Sequence, residues 1–128
     1  MVDASAIVFA VIGKEPAAER WRQRLAGIRR HSPHLVDAEV GNVLRRHRLA
    51  GLIDDDEPFL ALRAGGALID HRYPHAGVLA EAAWSLKDGF SFYDALYVAL
   101  ADKLGYPLLT TDARLSLAPR LPCVVELV

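Results

Sequence analysis

The stretch that decides the fold is FSFYDALYVALADKLGYPLLTTD, residues 90–112. Its first part repeats apolar residues at helical spacing, which predicts a helix with one apolar flank. Gly105 and Pro107 predict the end of that helix, and the following residues, 108–109, predict a short buried strand. Asp94 therefore lies at the start of a nearly apolar helix, and Asp112 lies where a buried strand stops.

Each of these aspartates also has an ordinary structural explanation. Ser91 and Asp94 have the spacing of a capping box, in which the acidic side chain also offsets the helix dipole. Asp112 has the position of an N-cap for a short helix over residues 113–117. Capping and chemistry thus both remain open for the two aspartates from this stretch alone.

Composition predicts one compact domain, residues 1–128, with 52% hydrophobic residues and a net charge of −1. At that charge, nucleic-acid binding depends on local basic patches. The single cysteine, Cys123, excludes an intramolecular disulfide and a thiolate zinc site, and it fits a reducing, cytoplasmic setting. We see no secretory signal and no apolar run long enough for a membrane span, so we expect no membrane association.

Predicted strands and helices alternate along the chain. Val2 begins a strand, residues 6–12 fit either its extension or a helix, and a helix follows Pro16. The other predicted strands are 34–36, 67–70 and 121–127. The other predicted helices are 37–48 with Asp37 as its N-cap, 54–64 ended by Gly65–Gly66, and 74–86. This alternation predicts an α/β fold with a mostly parallel sheet that helices cover on both faces.

Position separates four carboxylates from the other acidic residues. Asp3 follows the first predicted strand, Glu39 lies just after the second, and Asp112 ends the strand at 108–109. Asp94 begins the helix that leads to that strand. Because ligand sites in such sheets lie beyond the carboxyl ends of the strands, we expect all four at one edge. We interpret the acidic run at 54–57 as a solvated helix start.

Four carboxylates in one cleft require protonation or a cation, since two unit charges about 4 Å apart repel by roughly 4 kcal/mol at an effective dielectric of 20. The ligand set is all oxygen, with the hydroxyls of Ser5 and Thr110 beside it, which favours Mg²⁺ or Mn²⁺ over zinc. The sequence contains neither a Walker loop nor a Ser-His-Asp pattern. The acidic set therefore points to metal-assisted hydrolysis of phosphodiesters.

Four motifs carry a resemblance to a known family. They are Asp3-x-Ser5, Glu39-x-x-Asn42, Tyr93-Asp94-Ala95-x-Tyr97-x-Ala99-Leu100-Ala101 and Leu109-Thr110-Thr111-Asp112-x-x-Leu115. In their spacing and order, and in chain length, the sequence resembles the PIN-domain ribonucleases and above all their VapC-type toxins. The resemblance implies a Rossmann-like three-layer α/β/α sandwich with a mostly parallel central sheet. It also implies a Mg²⁺-dependent endoribonuclease site, in which Mn²⁺ can substitute.

The resemblance implies roles for individual residues as well. Asp3 and Asp94 match direct metal ligands, and Glu39 and Asp112 match ligands that act directly or through water. The matching supporting residues are Ser5, Asn42 and Thr110. The family further implies an RNA substrate, a homodimer and a small VapB-type antitoxin whose C-terminal segment enters the acidic groove.

Two basic patches are candidates for binding the RNA backbone: Arg45 and Arg46 on one predicted helix, Arg20 and Arg24 on another. Such rows of arginine equally fit a solvated helix face. We interpret Tyr97 as a packing residue. Two alternative functions remain: an inactive PIN-like interaction module, and a phospho-aspartate phosphatase or receiver-like domain. The latter needs a lysine at a strand end, and none of the three lysines follows a predicted strand.

Overall fold

The fold consists of seven helices and four short strands in a computed structural model that describes all residues, 1–128. The helices are α1 (Ala4–Ile12), α2 (Pro16–Ala26), α3 (Leu35–Leu49), α4 (Glu57–Ala67), α5 (Val78–Trp84), α6 (Phe92–Leu104) and α7 (Ala113–Ser116). The strands are β1 (His31–Pro33), β2 (His71–Tyr73), β3 (Leu108–Thr110) and β4 (Val125–Leu127). No helix is both long and apolar enough to cross a membrane.

The strands all run in parallel, as predicted. β1 pairs with β2, and β3 pairs with β4. Val2 joins the two pairs, because it forms a parallel bridge with Leu109 and its N–H donates to the carbonyl of His31 at 3.0 Å. The resulting order is β2, β1, Val2, β3, β4. The carboxyl ends of these segments therefore meet at one edge of the sheet, and Asp3 and Asp112 lie just beyond it.

Helices form two groups on this sheet. Helices α1, α3 and α4 contact one another, α5 packs against α6, and both groups contact the strands. The side chains of Ile7, Val98 and Leu108 are completely buried between them. This arrangement confirms the predicted α/β sandwich and places its core between the sheet and the helices.

The helix predicted before Gly105 is confirmed as α6. The hydroxyl of Ser91 accepts a hydrogen bond from the Asp94 N–H at 3.2 Å, which caps the helix start. Gly105 ends the helix in the left-handed conformation, with φ +66°. Every residue from 95 to 101 is buried, which explains why this helix is nearly all apolar after its first turn.

The second strand lies earlier than predicted. The prediction of a strand at 34–36 is wrong: β1 ends at Pro33 and α3 begins at Leu35. Ser32 is fully buried within the sheet. Its hydroxyl can be buried there because it donates a hydrogen bond to the carbonyl of Val2 at 3.0 Å. Asp37 is not the N-cap. It lies in the first turn of α3 and accepts from Arg72 Nε at 2.7 Å.

Several further boundaries differ from the predictions, and β4 begins at Val125 rather than at residue 121. α4 continues through Gly65–Gly66 to Ala67, because a Cβ at Gly65 would lie only 3.2 Å from Ile7 Cγ2, so the glycine permits close helix packing. The third strand is consequently β2 at 71–73 rather than 67–70. α5 begins at Val78 rather than Pro74. Residues 6–12, for which the sequence fitted either a strand or a helix, are helical.

Candidate active site

All four predicted acids line one cavity of about 230 Å³ beside the carboxyl ends of Val2 and β3. We call it the acidic cavity. Its walls come from α1, α3, α6 and the β3–α7 turn, so four separate parts of the chain supply it. The predicted residues that line it are Asp3, Ser5, Glu39, Asn42, Arg46, Asp94 and Asp112.

Asp3 is the most constrained of the acids, with only 9% of its surface exposed. It is the N-cap of α1, and its Oδ1 accepts from the Ala6 N–H and the Ser5 hydroxyl, both at 2.8 Å. Its Oδ2 accepts from the Thr110 hydroxyl at 2.5 Å. Burial raises the pKa of Asp3, and these hydrogen bonds partly oppose the rise. Since a carboxylate oxygen has two lone pairs, Oδ2 keeps one for a further ligand.

Ser5 and Thr110 form a matched pair of hydroxyls around Asp3. Each donates its proton to that carboxylate. Each also accepts a backbone N–H from the β3–α7 turn: Ser5 from Thr111 and Thr110 from Asp112, both at 2.9 Å. The two hydroxyls therefore fix Asp3 and the turn that carries Asp112 in one hydrogen-bonded unit.

Glu39 lies on α3 and accepts a hydrogen bond from the hydroxyl of Tyr97. Burial raises the pKa of Glu39, and the negative charges of Asp3 and Asp94 raise it further. Burial and the Glu39 carboxylate also raise the pKa of Tyr97, so this hydroxyl remains a proton donor. The sequence alone predicts only a packing role for Tyr97. Its position three residues after Asp94, on the same helix face, was the available signal.

Asp94 and Asp112 are held less tightly. Asp94 is exposed, and one carboxylate oxygen accepts from the Ser91 hydroxyl at 2.7 Å. Asp112 caps α7 and accepts from the Arg114 side chain at 2.8 Å and 3.1 Å, which lowers the pKa of Asp112. Arg114 is not among the site residues predicted from the sequence, although its position two residues after Asp112 was a signal of this contact.

The acidic cavity fits a divalent cation by the chemistry of its donors. In the arrangement seen, no three Asp, Glu, His or Cys side chains are close enough to hold a metal. Instead, Asp94, Glu39 and Asp112 are hydrogen-bonded to side chains beside them. Hard oxygen donors are what Mg²⁺ prefers. A bound cation would offset the burial that raises the pKa values of Asp3 and Glu39, and also the repulsion from Asp3 and Asp94 that adds to the rise at Glu39.

The four candidate RNA-binding arginines lie in different places. Arg46 lines the acidic cavity, and Arg45 is exposed beside it on α3. Arg20 is exposed on α2. Arg24 pairs with Glu126 and lines a cavity near Met1, at the amino-terminal edge of the sheet. The structure thus brings Arg46 to the acids and separates Arg24 from them.

The PIN domain family model matches residues 1–121 of the chain. The chain belongs to the PIN domain family. Within this family it is similar to Ribonuclease VapC1 of Mycobacterium tuberculosis, with 49% identity over all of this chain and 96% of the relative. It is also 38% identical to Ribonuclease VapC3 of Pyrobaculum aerophilum, over 98% of this chain and 96% of that one. This PIN domain is therefore VapC-type.

A solved structure gives the same fold. This PIN domain matches a crystal structure of a protein from Pyrobaculum aerophilum with a TM-score of 0.66 and 25% identity. The match covers 91% of this chain and 82% of the other. Sequence and structure comparisons thus agree on the fold and extend over nearly the whole chain.

Proposed function

We propose that this chain, as one domain over residues 1–128, is a Mg²⁺-dependent endoribonuclease that acts as the toxin of a toxin–antitoxin pair. The observation that carries the proposal is the acidic cavity, which is lined by four carboxylates from separate elements. Relatives named as VapC ribonucleases, which align along nearly the whole chain, support RNA as the substrate.

In the proposed site, some residues of the acidic cavity would bind the ion and others would orient those ligands. Asp3 and Asp94 would hold Mg²⁺ directly, and Glu39 and Asp112 would hold it directly or through water. When bound, the ion would supply an activated water and would neutralise charge on the phosphate. The hydroxyls of Ser5 and Thr110 keep the Asp3 carboxylate oriented. Tyr97 orients Glu39 in the same way.

Substrate RNA must approach four negative charges, so a nearby positive charge assists binding. Arg46 is the cation that lines the acidic cavity, and Arg45 precedes it on the exposed side of α3. We assign both to the RNA backbone. Neither arginine forms an ion pair with these carboxylates, because the cation that pairs with Asp112 is Arg114.

Cleavage of RNA by the purified protein tests the proposal. Asp94→Asn should reduce the rate at least about 100-fold, because it removes a charged ligand. Asp102→Asn is the matched control, since Asp102 is an exposed aspartate on the same helix that does not line the acidic cavity. EDTA should abolish cleavage and added Mg²⁺ or Mn²⁺ should restore it. Cleavage by wild type in EDTA, or by Asp94→Asn at the wild-type rate, would contradict the proposal.

A cytoplasmic homodimer bound by a VapB-type antitoxin completes the proposal. The VapC names of the relatives support the antitoxin. Exposed apolar side chains on and next to α5 and α6 support the dimer: Val78, Trp84, Phe92 and Tyr93. The rings of Trp84 and Phe92 are in contact across these helices, with centroids 6.4 Å apart. Light scattering of Trp84→Glu tests the surface: a dimer as stable as wild type would place the interface elsewhere.

Neither alternative function gains support from the cavity. A phospho-aspartate site needs a lysine beside the acid, and no lysine lines the acidic cavity. An inactive interaction module has no need of four convergent carboxylates, two of them with raised pKa values. Both features are accounted for by a hydrolytic metal site.

A further inference from the structure

A second and larger cavity, of about 500 Å³, adjoins the acidic cavity. We call it the apolar cavity. Ser5 and Val43 line both cavities, so a molecule that occupies one is next to the other. Its remaining apolar walls come from α1, from the segment after α3 and from the residue after β4: Val8, Phe9, Ile12, Leu52, Ile53 and Val128.

The apolar cavity carries little net charge. Its two oppositely charged residues, Lys14 and Glu15, are adjacent and exposed at its margin, and Lys14 also pairs with Glu57 at 3.4 Å. His47 and Thr111 supply polar groups, and the His47 ring has no hydrogen-bond partner among the side-chain contacts. The apolar cavity has no two unpaired cationic side chains that could bind a phosphate. A flat, uncharged group with hydrogen-bonding edges matches the cavity much better.

We infer that the apolar cavity is a nucleobase subsite, which holds the base of a nucleotide next to the phosphate that is cleaved. This inference rests on the proposed function. Bases of single-stranded RNA are bound by stacking on aromatic side chains and by hydrogen bonds to their edges. Phe9 supplies the aromatic surface, and His47 and Thr111 supply the hydrogen-bonding groups. The volume lies within the usual range for small-molecule pockets.

Position supports a base rather than another part of the RNA. The scissile phosphate must reach the acidic cavity, and the apolar cavity shares the lining side chains of Ser5 and Val43 with it. A nucleotide whose phosphate lies at the acids therefore places its base, or that of its neighbour, within reach of Phe9. The base held there then determines at which positions the RNA is cut.

Oligonucleotides that lack single bases test this inference. The inactive Asp94→Asn protein is titrated with single-stranded RNA that spans a mapped cleavage site, and binding is followed by fluorescence anisotropy. Removing the base at one position beside the scissile phosphate should weaken binding roughly 5- to 150-fold, the effect of losing one stacked base. In Asp94→Asn with Val43→Phe, which narrows the cavity, intact RNA should bind correspondingly less tightly. The same abasic change should then cause no further loss.

Two further variants, both at exposed positions, distinguish obstruction of the cavity from a loss of folding. Leu52→Trp obstructs the cavity from an exposed position, where Leu52 is 66% exposed, and it should reproduce the effect of Val43→Phe. Val124→Phe is the matched control just before β4, where Val124 is 66% exposed and lines neither cavity, and it should leave the abasic effect unchanged. Thermal melting verifies that each variant is folded.

The outcomes separate this inference from the function on which it rests. If the wild-type protein shows no metal-dependent cleavage, the proposed function fails. If cleavage is intact but the abasic changes cost the same in the parent and in both cavity variants, the nucleobase subsite alone is overturned. A cavity that serves instead to dock a peptide would give this second result.

Discussion

Thr110→Val tests whether a buried hydroxyl holds the acidic cavity together. Thr110 is fully buried, and its hydroxyl donates to Asp3 at 2.5 Å and accepts the Asp112 N–H at 2.9 Å. Valine keeps the shape but removes both hydrogen bonds. Losing the charge-assisted bond costs roughly 1.5–3 kcal/mol, and the N–H left without a partner adds roughly 1–3 kcal/mol. With partial relaxation, we expect the free energy of unfolding to fall by about 2–4 kcal/mol.

Thermal unfolding followed by circular dichroism measures this loss in metal-free buffer at pH 7.5. At roughly 3–4 °C per kcal/mol for a chain of 128 residues, Thr110→Val should lower Tm by about 6–16 °C. Thr110→Ser is the matched control, because it keeps the hydroxyl and loses one buried methyl, worth about 1 kcal/mol. Equal destabilisation by valine and serine would refute the role of the hydroxyl.

The deficit of Thr110→Val also depends on pH. Burial already raises the pKa of Asp3 in the folded protein, and the loss of a donor raises it further. A group with a raised folded pKa stabilises the fold at low pH, and that stability is lost as the pH rises through the folded pKa. The gap between wild type and Thr110→Val should therefore narrow as the pH falls from 7.5 to 5. A constant gap would show that the lost bond was not to a charged Asp3.

Three other changes test the metal site and two local contacts. Mg²⁺ should raise Tm more at pH 8 than at pH 5.5, because protons compete for Asp3 and Glu39, whose pKa values are raised; equal shifts would contradict this. Asp70→Ala should cost roughly 1–3 kcal/mol in urea unfolding, since Asp70 accepts from Arg30 Nε and Nη2, each at 2.8 Å; no loss would refute that contact. Gly105→Ala should cost about 1 kcal/mol because its φ is +66°, and an unchanged Tm would argue against that conformation.

Local signals made the acidic cavity predictable. Asp94 and Asp112 lie at the two ends of a helix–strand unit whose boundaries are marked by capping residues, periodic apolar residues and Gly105. Capping does not compete with a role in the cavity: Asp3 and Asp112 both cap helices and both line it. The start of each helix fixes the carboxylate beside the sheet edge. Helix capping and a chemical role are therefore compatible for the same aspartate.

Two of the short strands, β1 and β2, were not predictable, because three residues carry no periodicity. β1 is His-Ser-Pro, a composition typical of a break, and it is a strand because Ser32 binds the carbonyl of Val2 and because β2 pairs alongside. Side-chain partners also depend on tertiary placement. The contact between Glu39 and Tyr97 spans 58 residues, and the pair formed by Arg24 and Glu126 spans 102.

Metal occupancy and RNA cleavage measured on the same samples test the central claim most directly. Mn²⁺ is titrated into the protein, bound ion is counted by electron paramagnetic resonance, and the initial rate of RNA cleavage is recorded at each point. The rate should rise in proportion to occupancy in wild type and in Asp102→Asn, and both occupancy and rate should be lost in Asp94→Asn. Full cleavage at zero occupancy, or unchanged Mn²⁺ binding by Asp94→Asn, would contradict the assignment of the acidic cavity as the metal-dependent site.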